Sequence, residues 1–233
     1  MTGRRDRMRE ATLKEIHQTA RTLLVTKGSA AVTINAVARE MGMSGPSLYH
    51  YYASRDALVD AVTADFFEEL AATMERERDE RAADSLAEQF LASCRAMRSW
   101  AVSCPAEFEW IFASPVGDTQ RQQDSARHQA GMRFAHVFLD MIVKVWETQP
   151  FPVPDLDELP EGLREQLRAY SRLIDERLPS EAVYMYVTSW SRLYGLLCLE
   201  VLHQMDFALT NMEPLFEQCL GELITALGLT QEP

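Results

Sequence analysis

GMSGPSLYHYY, residues 42–52, joins helix breakers to a run of four ring-bearing side chains. Gly42 and the Gly45-Pro46 pair interrupt any helix that reaches them. Tyr49, His50, Tyr51 and Tyr52 follow in succession, and so short a segment offers no packing reason for four polar-tipped rings. The stretch makes sense as a turn leading into a short helix. Upstream, Thr33 caps a helix carrying Ile34, Val37, Ala38 and Met41 on one face, and Gly42 ends it. Ser44 caps the next helix, roughly Gly45 to Tyr51, where Pro46 is tolerated because first-turn N–H groups lack partners. Leu48 then faces inward and Gly45, Ser47, Tyr49, His50 and Tyr51 outward, while Tyr52 is expected to turn inward.

Two short helices about a glycine turn make a helix-turn-helix. The lack of bulk at Gly45 and Pro46 lets the second helix bring its N-terminus close to another surface, where its N–H groups and dipole favour phosphate. Hydroxyls donate to phosphate oxygens, and tyrosine rings touch thymine methyls or sugars. The expected DNA contacts are Thr33, Ile34, Ser44, Gly45, Pro46, Ser47, Tyr49, His50, Tyr51 and Arg55. Arg4 and Arg5, with Arg7 and Arg9, join them as a disordered arm over the DNA backbone or minor groove; the alternative is a solvated tail.

Charge supports this placement. The 233-residue chain has a net charge of −12, which alone argues against nucleic acid. Residues 1–60, however, hold nine Lys/Arg against six Asp/Glu, a net +3, whereas residues 61–233 hold 14 against 29, a net −15. Hydrophobic residues make up 47% and charged residues 25%, an ordinary globular balance. No apolar run is long enough for a membrane helix, and the charged start lacks the apolar core of a secretory signal, so the expectation is a cytoplasmic protein without membrane contact. Cys94, Cys104, Cys198 and Cys219 form neither a metal-ligand spacing nor a disulfide framework, and no metal or cofactor is expected.

Helical periodicity continues along the chain. One helix runs from Arg7 to about Lys27, and Ser54 caps another carrying Leu58, Val62, Phe66, Leu70 and Met74. Further patterns cover about 84–103, 105–114, 120–148, 159–177, 180–205 and 211–228, with Pro105, Pro115, Pro179 and Pro214 near their boundaries. Residues 149–162, with four prolines, form a loop. The fold class is all-α. A helix-turn-helix domain over residues 1–55 is followed by a connecting helix at about 55–80, within a larger helical domain over 56–233.

Thr33-Ile34-x-x-Val37-Ala38-x-x-Met41-Gly42-Met43-Ser44-x-x-Ser47-Leu48-Tyr49-His50-Tyr51-Tyr52, followed by Ser54-Arg55-Asp56-Ala57-Leu58, resembles the DNA-binding domain of the TetR family of bacterial transcriptional regulators. The likeness spans about residues 8–60. Arg55 stands where the family commonly has Lys, which keeps the charge. Trp190 to Glu200 is similar to a late-helix pattern in one set of these regulators, with Tyr194 where they usually show His. The resemblance implies a homodimer that reads a palindromic operator in successive major grooves of double-stranded DNA. It also implies a small-molecule effector that changes the spacing of the two recognition helices.

The C-terminal part offers candidate pocket residues in Met97, Trp100, Phe108, Trp110, Phe112, Phe134, Phe138, Tyr184 and Trp190; each alone reads more often as core, and together they point to a pocket. Leu193, Leu196, Leu197, Val201, Phe216, Leu220, Leu223 and Leu227 exceed what one helix face usually buries, so a four-helix dimer contact is expected of them. No HExxH, GxSxG, P-loop or GxGxxG pattern occurs, and no enzyme is expected. The function expected is a homodimeric repressor released by a small hydrophobic or amphipathic effector. An activator, a ligand-independent regulator, or an all-α small-molecule-binding protein are the alternatives.

Overall fold

A computed structural model describes residues 3–113 and 125–229, and no strand occurs among them. In chain order the helices are α1 (Arg4–Lys27), α2 (Ile34–Glu40), α3 (Gly45–Tyr49), α4 (Arg55–Asp79), α5 (Leu86–Ser103), α6 (Pro105–Phe108), α7 (Ala126–Thr148), α8 (Glu161–Leu173), α9 (Ser180–Val201) and α10 (Glu213–Ala226). The all-α expectation holds. The boundary expected at Pro115 and the start of the segment expected from residue 120 lie outside the described residues. Contacts group the chain into two compact units, Met1–Ala71 with Ser103–Phe134, and Ala72–Val102 with Ala135–Pro233.

In the first unit, helical spacing puts Ile16, Ala20, Leu23 and Leu24 of α1 on one buried face. Val37 and Ala38 of α2, Leu48 of α3, and Leu58, Val62, Phe66 and Leu70 of α4 are buried with them. Three polar side chains then fix α1 against its neighbours. The Arg21 guanidinium donates from Nε to Glu107 Oε1 at 2.6 Å, from Nη1 to Glu69 Oε2 at 2.6 Å, and from Nη2 to Glu69 Oε1 at 3.2 Å. It also lies 5.4 Å from the centre of the Phe66 ring. Glu107 is almost wholly buried, so its charge is tolerated only because Arg21 answers it.

The segment expected as one helix over 105–114 is divided. α6 covers four residues and a wider π-type turn, Glu109–Ala113, follows it. That turn carries Trp110, whose indole N–H donates to Thr63 Oγ1 of α4 at 2.8 Å, while the Thr63 hydroxyl donates to the Val59 carbonyl at 2.7 Å. A buried tryptophan needs such an acceptor.

In the second unit, α5 is buried around most of its circumference, including Phe90, Met97 and Trp100. Phe138 and Ile142 of α7, Leu193 and Leu197 of α9, and Phe216 and Leu220 of α10 form the rest of the core. Two bidentate pairs bind α5 to the last helices: Arg95 to Glu217 at 2.9 and 2.7 Å, and Arg98 to Glu200 at 2.9 and 2.6 Å. Both α8 and α9 stop about four residues before their expected ends. Glu176 N donates to Ser171 O at 2.8 Å and Gln204 N to Leu199 O at 2.9 Å. These closures bend through Asp175, Glu176 and His203 at positive φ.

Replacing Arg21 with Ala leaves Glu107 charged and buried without its partner, and is expected to cost about 3 kcal/mol, the lower end for a broken buried pair. The double variant Arg21→Met, Glu107→Gln should recover part of that loss. Urea denaturation of the two variants beside the parent chain measures the difference.

Candidate nucleic-acid interface

Each turn of the helix-turn-helix segment is closed by local hydrogen bonds. Ala36 N donates to Thr33 Oγ1 at 3.2 Å, which caps α2. At its other end Met43 N donates to Ala38 O at 2.8 Å and Gly42 N to Arg39 O at 3.1 Å. Gly42 adopts φ +66°, the left-handed conformation that this paired closure requires. Ser47 N donates to Ser44 Oγ at 3.3 Å, and the two hydroxyls are 2.7 Å apart. Gly45 has a second reason to be glycine: a Cβ there would stand 2.9 Å from Asn35 Oδ1 on α2.

A five-residue helix has little stability of its own, so α3 depends on its anchors. Leu48 is fully buried on one side of it. Beyond its end Tyr52 is 9% exposed, and its hydroxyl hydrogen-bonds His17 Nε2 of α1; His17 Nδ1 in turn pairs with the Asp65 carboxylate of α4. Burial, and then the nearby Asp65 charge, push the Tyr52 phenol up to about 12. Arg9 of α1 lies 5.4 Å from the centre of the Tyr51 ring. Sequence reading missed His17 and Asp65, because partners 35 to 48 positions apart leave no local pattern.

Ser44, Pro46, Tyr49 and His50 are exposed on one side of this assembly, with Tyr49 at 51% exposure. Thr33, Gly45, Ser47 and Tyr51 are partly exposed. Ile34 is not available in the same way: it is 3% exposed, because the first turn of α2 packs its side chain inward. Arg55 is exposed, and its Nε donates to the Val32 carbonyl at 3.1 Å, which fixes the base of its side chain. Arg4 and Arg5 begin α1, whose first turn is closed by Gly3 N donating to Asp6 Oδ2 at 3.1 Å. Cations there oppose the helix dipole, an arrangement that a nearby polyanion relieves.

The nine candidate pocket residues fall into two groups, one in each unit. Phe108, Phe112 and Phe134 cluster with Phe67 in the first unit, where Trp110 is also buried, with ring centres 4.8 to 5.7 Å apart. Phe138 and Trp190 cluster with Phe90 and Tyr186 in the second, at 5.4 to 5.8 Å; Met97 and Trp100 are buried there and Tyr184 is partly exposed. Three cavities in the second unit, of about 280, 300 and 350 Å³, are lined by other residues. Of the eight residues expected at a dimer contact, Leu193, Leu197, Val201, Phe216, Leu220, Leu223 and Leu227 are buried within the single chain. Their apolar surface is taken up between α9, α10 and the rest of their own unit. Leu196 stays partly exposed, in the 350 Å³ groove with Leu199 and Leu215.

Two family models match the chain. "Bacterial regulatory proteins, tetR family" covers residues 16–62, and "Tetracyclin repressor-like, C-terminal domain" covers residues 90–223. HTH-type transcriptional regulators Rv1816 of Mycobacterium tuberculosis and Mb1846 of Mycobacterium bovis are each 29% identical over 206 residues, 87% of this chain and 86% of theirs. The crystal structure of SCO4313, described as a regulatory protein, superposes with a TM-score of 0.75 at 27% identity, over 96% of this chain and 100% of that one. A TetR family transcription regulator from Shewanella sp. PV-4 shares the fold at a TM-score of 0.58 and 15% identity, over 92% of this chain and 95% of that one.

Gly42→Ala forces a side chain into the left-handed region and should cost about 1 kcal/mol. Ser44→Ala, which removes the α3 cap, should cost a similar ~1 kcal/mol. Each loss corresponds to a melting temperature lower by roughly 2–4 °C for a chain of this length, read by calorimetry. A third expectation concerns Tyr52. Its folded pKa of about 12 stands above the ordinary value of 10.0, so its contribution to stability is complete below pH 10 and fades as pH rises toward 12. The stability gap between the parent chain and Tyr52→Phe should therefore narrow between pH 10 and pH 12 in urea titrations; a constant gap contradicts it.

Proposed function

Because the chain belongs to the TetR family of bacterial transcriptional regulators, we propose that it is a homodimeric repressor that binds a palindromic operator and is released by a small hydrophobic or amphipathic effector. The observation that carries the reading is the exposed group of Ser44, Pro46, Tyr49 and His50 at the start of a helix anchored by buried Leu48. That geometry suits the N-terminus of α3 to phosphate and its outer side chains to the major groove. Residues 1–55 are the reading domain on this view, and residues 56–233 the ligand-binding and dimerisation domain. The protein acts in the cytoplasm, where its operator is.

α4 supplies the means of release. It begins at Arg55, three residues beyond Tyr52, and ends at Asp79, which lines the 280 Å³ cavity together with Arg78. One uninterrupted helix of 25 residues therefore connects the reading segment to a cavity wall. An effector shifts the equilibrium only by binding the DNA-incompetent arrangement more tightly than the competent one.

The second copy docks on the outer face of α9 and α10. Gly195, Leu196, Leu199 and Leu215 form a shallow apolar groove there, and Arg192 and Glu222, which pair with each other, stand on its rim. An exposed apolar face on two adjacent helices suits a symmetric four-helix contact.

Gel retardation on DNA from the chain's own promoter region tests the reading. Binding should weaken steeply between 50 and 200 mM salt, and Tyr49→Ala should weaken it by roughly tenfold or more, the scale of one lost base contact. No retardation at low salt on any palindrome near the gene sinks the proposal. Sedimentation should give a dimer at micromolar concentration and a monomer for Leu196→Arg; a monomeric parent chain overturns the interface.

A further inference from the structure

The 280 Å³ cavity of the second unit has an unusual balance of charges. Its lining includes Arg78 and Asp79 from the end of α4, Gln89 and Phe90 from α5, and Asp140 and Lys144 from α7. Two acids and two bases suggest a neutral site, yet the pairing is uneven. Asp79 accepts from Arg78 Nε at 2.8 Å, and Asp140 accepts from Arg177 Nη2 at 2.8 Å. Lys144 has no carboxylate within ion-pair distance among the described residues; its ammonium donates instead to Gln89 Oε1 at 3.2 Å. A neutral amide orients the ammonium without cancelling its charge.

Gln89 is held so that it can do nothing else. Its side chain is 8% exposed, and its Nε2 donates to the Asp84 carbonyl at 2.9 Å. With the amide N–H₂ occupied in that way, Oε1 is the end that faces Lys144. The lysine's position is thus set by a buried residue, while the lysine itself stays exposed. Beside it the wall is apolar: Phe90, Met141 and Val145 line the same cavity and are buried in the core edge. A cation held by a neutral amide next to an apolar wall, with its charge felt by Asp79 but not neutralised in an ion pair, fits a molecule with one negative group and a hydrophobic body. The cavity volume, at the small end for ligand sites, limits that body to a small one.

We infer that this cavity binds small amphipathic monocarboxylic acids, with the carboxylate on Lys144 and the hydrocarbon part against Phe90, Met141 and Val145. The inference rests on the ligand-released reading only for its effect on DNA; the binding site itself does not. Calorimetric titration of the full-length chain with octanoate and 4-phenylbutyrate, each beside its primary amide, tests it. At least one acid should bind tenfold or more tightly than its amide. Lys144→Gln should reduce the acid to the level of the amide, whereas Lys144→Arg should keep the preference. Lys144 is exposed, so both variants should fold, which an unchanged melting temperature without ligand verifies. Equal binding of acid and amide to the parent chain, no binding of either acid, or a preference that survives in Lys144→Gln overturns the inference. Gel retardation with the acid that binds separates the two proposals. Acid binding that depends on Lys144 but leaves DNA retained supports the site and removes the effector-released reading.

Discussion

Arg21 is where three helices have to agree. A single guanidinium of α1 satisfies Glu69 on α4 and Glu107 on α6, and covers the Phe66 ring as well. A planar fork of five donors can serve two carboxylates at once, which a lysine could not do with the same geometry. Burying Glu107 makes the arrangement obligatory rather than optional, since an unanswered carboxylate there would be costly. The register of α1 against α4 follows from it. That register brings His17, one turn earlier on α1, between Asp65 of α4 and the Tyr52 hydroxyl. The segment that follows α3 is therefore oriented by charges that belong to the other helices.

Much of the reading segment was legible because its determinants are local. Thr33 and Ser44 cap the helices they were expected to cap, and Ser54 Oγ accepts from Ala57 N at 3.1 Å. Gly42 turns where a glycine with positive φ was needed. Caps and turns act within four residues, so composition at fixed offsets reports them. The ends of α8 and α9 were misjudged for the converse reason. Their left-handed closures fall on Asp175, Glu176 and His203, none of which announces a stop as glycine does.

Burial was legible only in its amount. The leucines of α9 and α10 are as apolar as expected, and the inference that one chain could not cover them was the part that failed. Helix periodicity says that a face is buried and not by which neighbour. The same gap separates Ile34 from the rest of its motif: it lies among the reading residues in sequence, but its side chain completes the core. Lys144 escaped notice because its hydrogen-bond partner, Gln89, lies 55 positions away in the sequence. A lysine in a sequence carries no sign of whether a carboxylate or an amide will stand beside it.

The brevity of α3 has an evolutionary consequence. Only Leu48 of its five residues is buried, so the helix is held from one point and by what flanks it. Changes at Pro46, Tyr49 and His50 meet little resistance from the interior and need no repacking of α1, α2 or α4. Packing and outward chemistry are thereby assigned to different residues of one small element. A lineage carrying this fold can exchange a few outward side chains here, while selection on the interior leaves the scaffold constant.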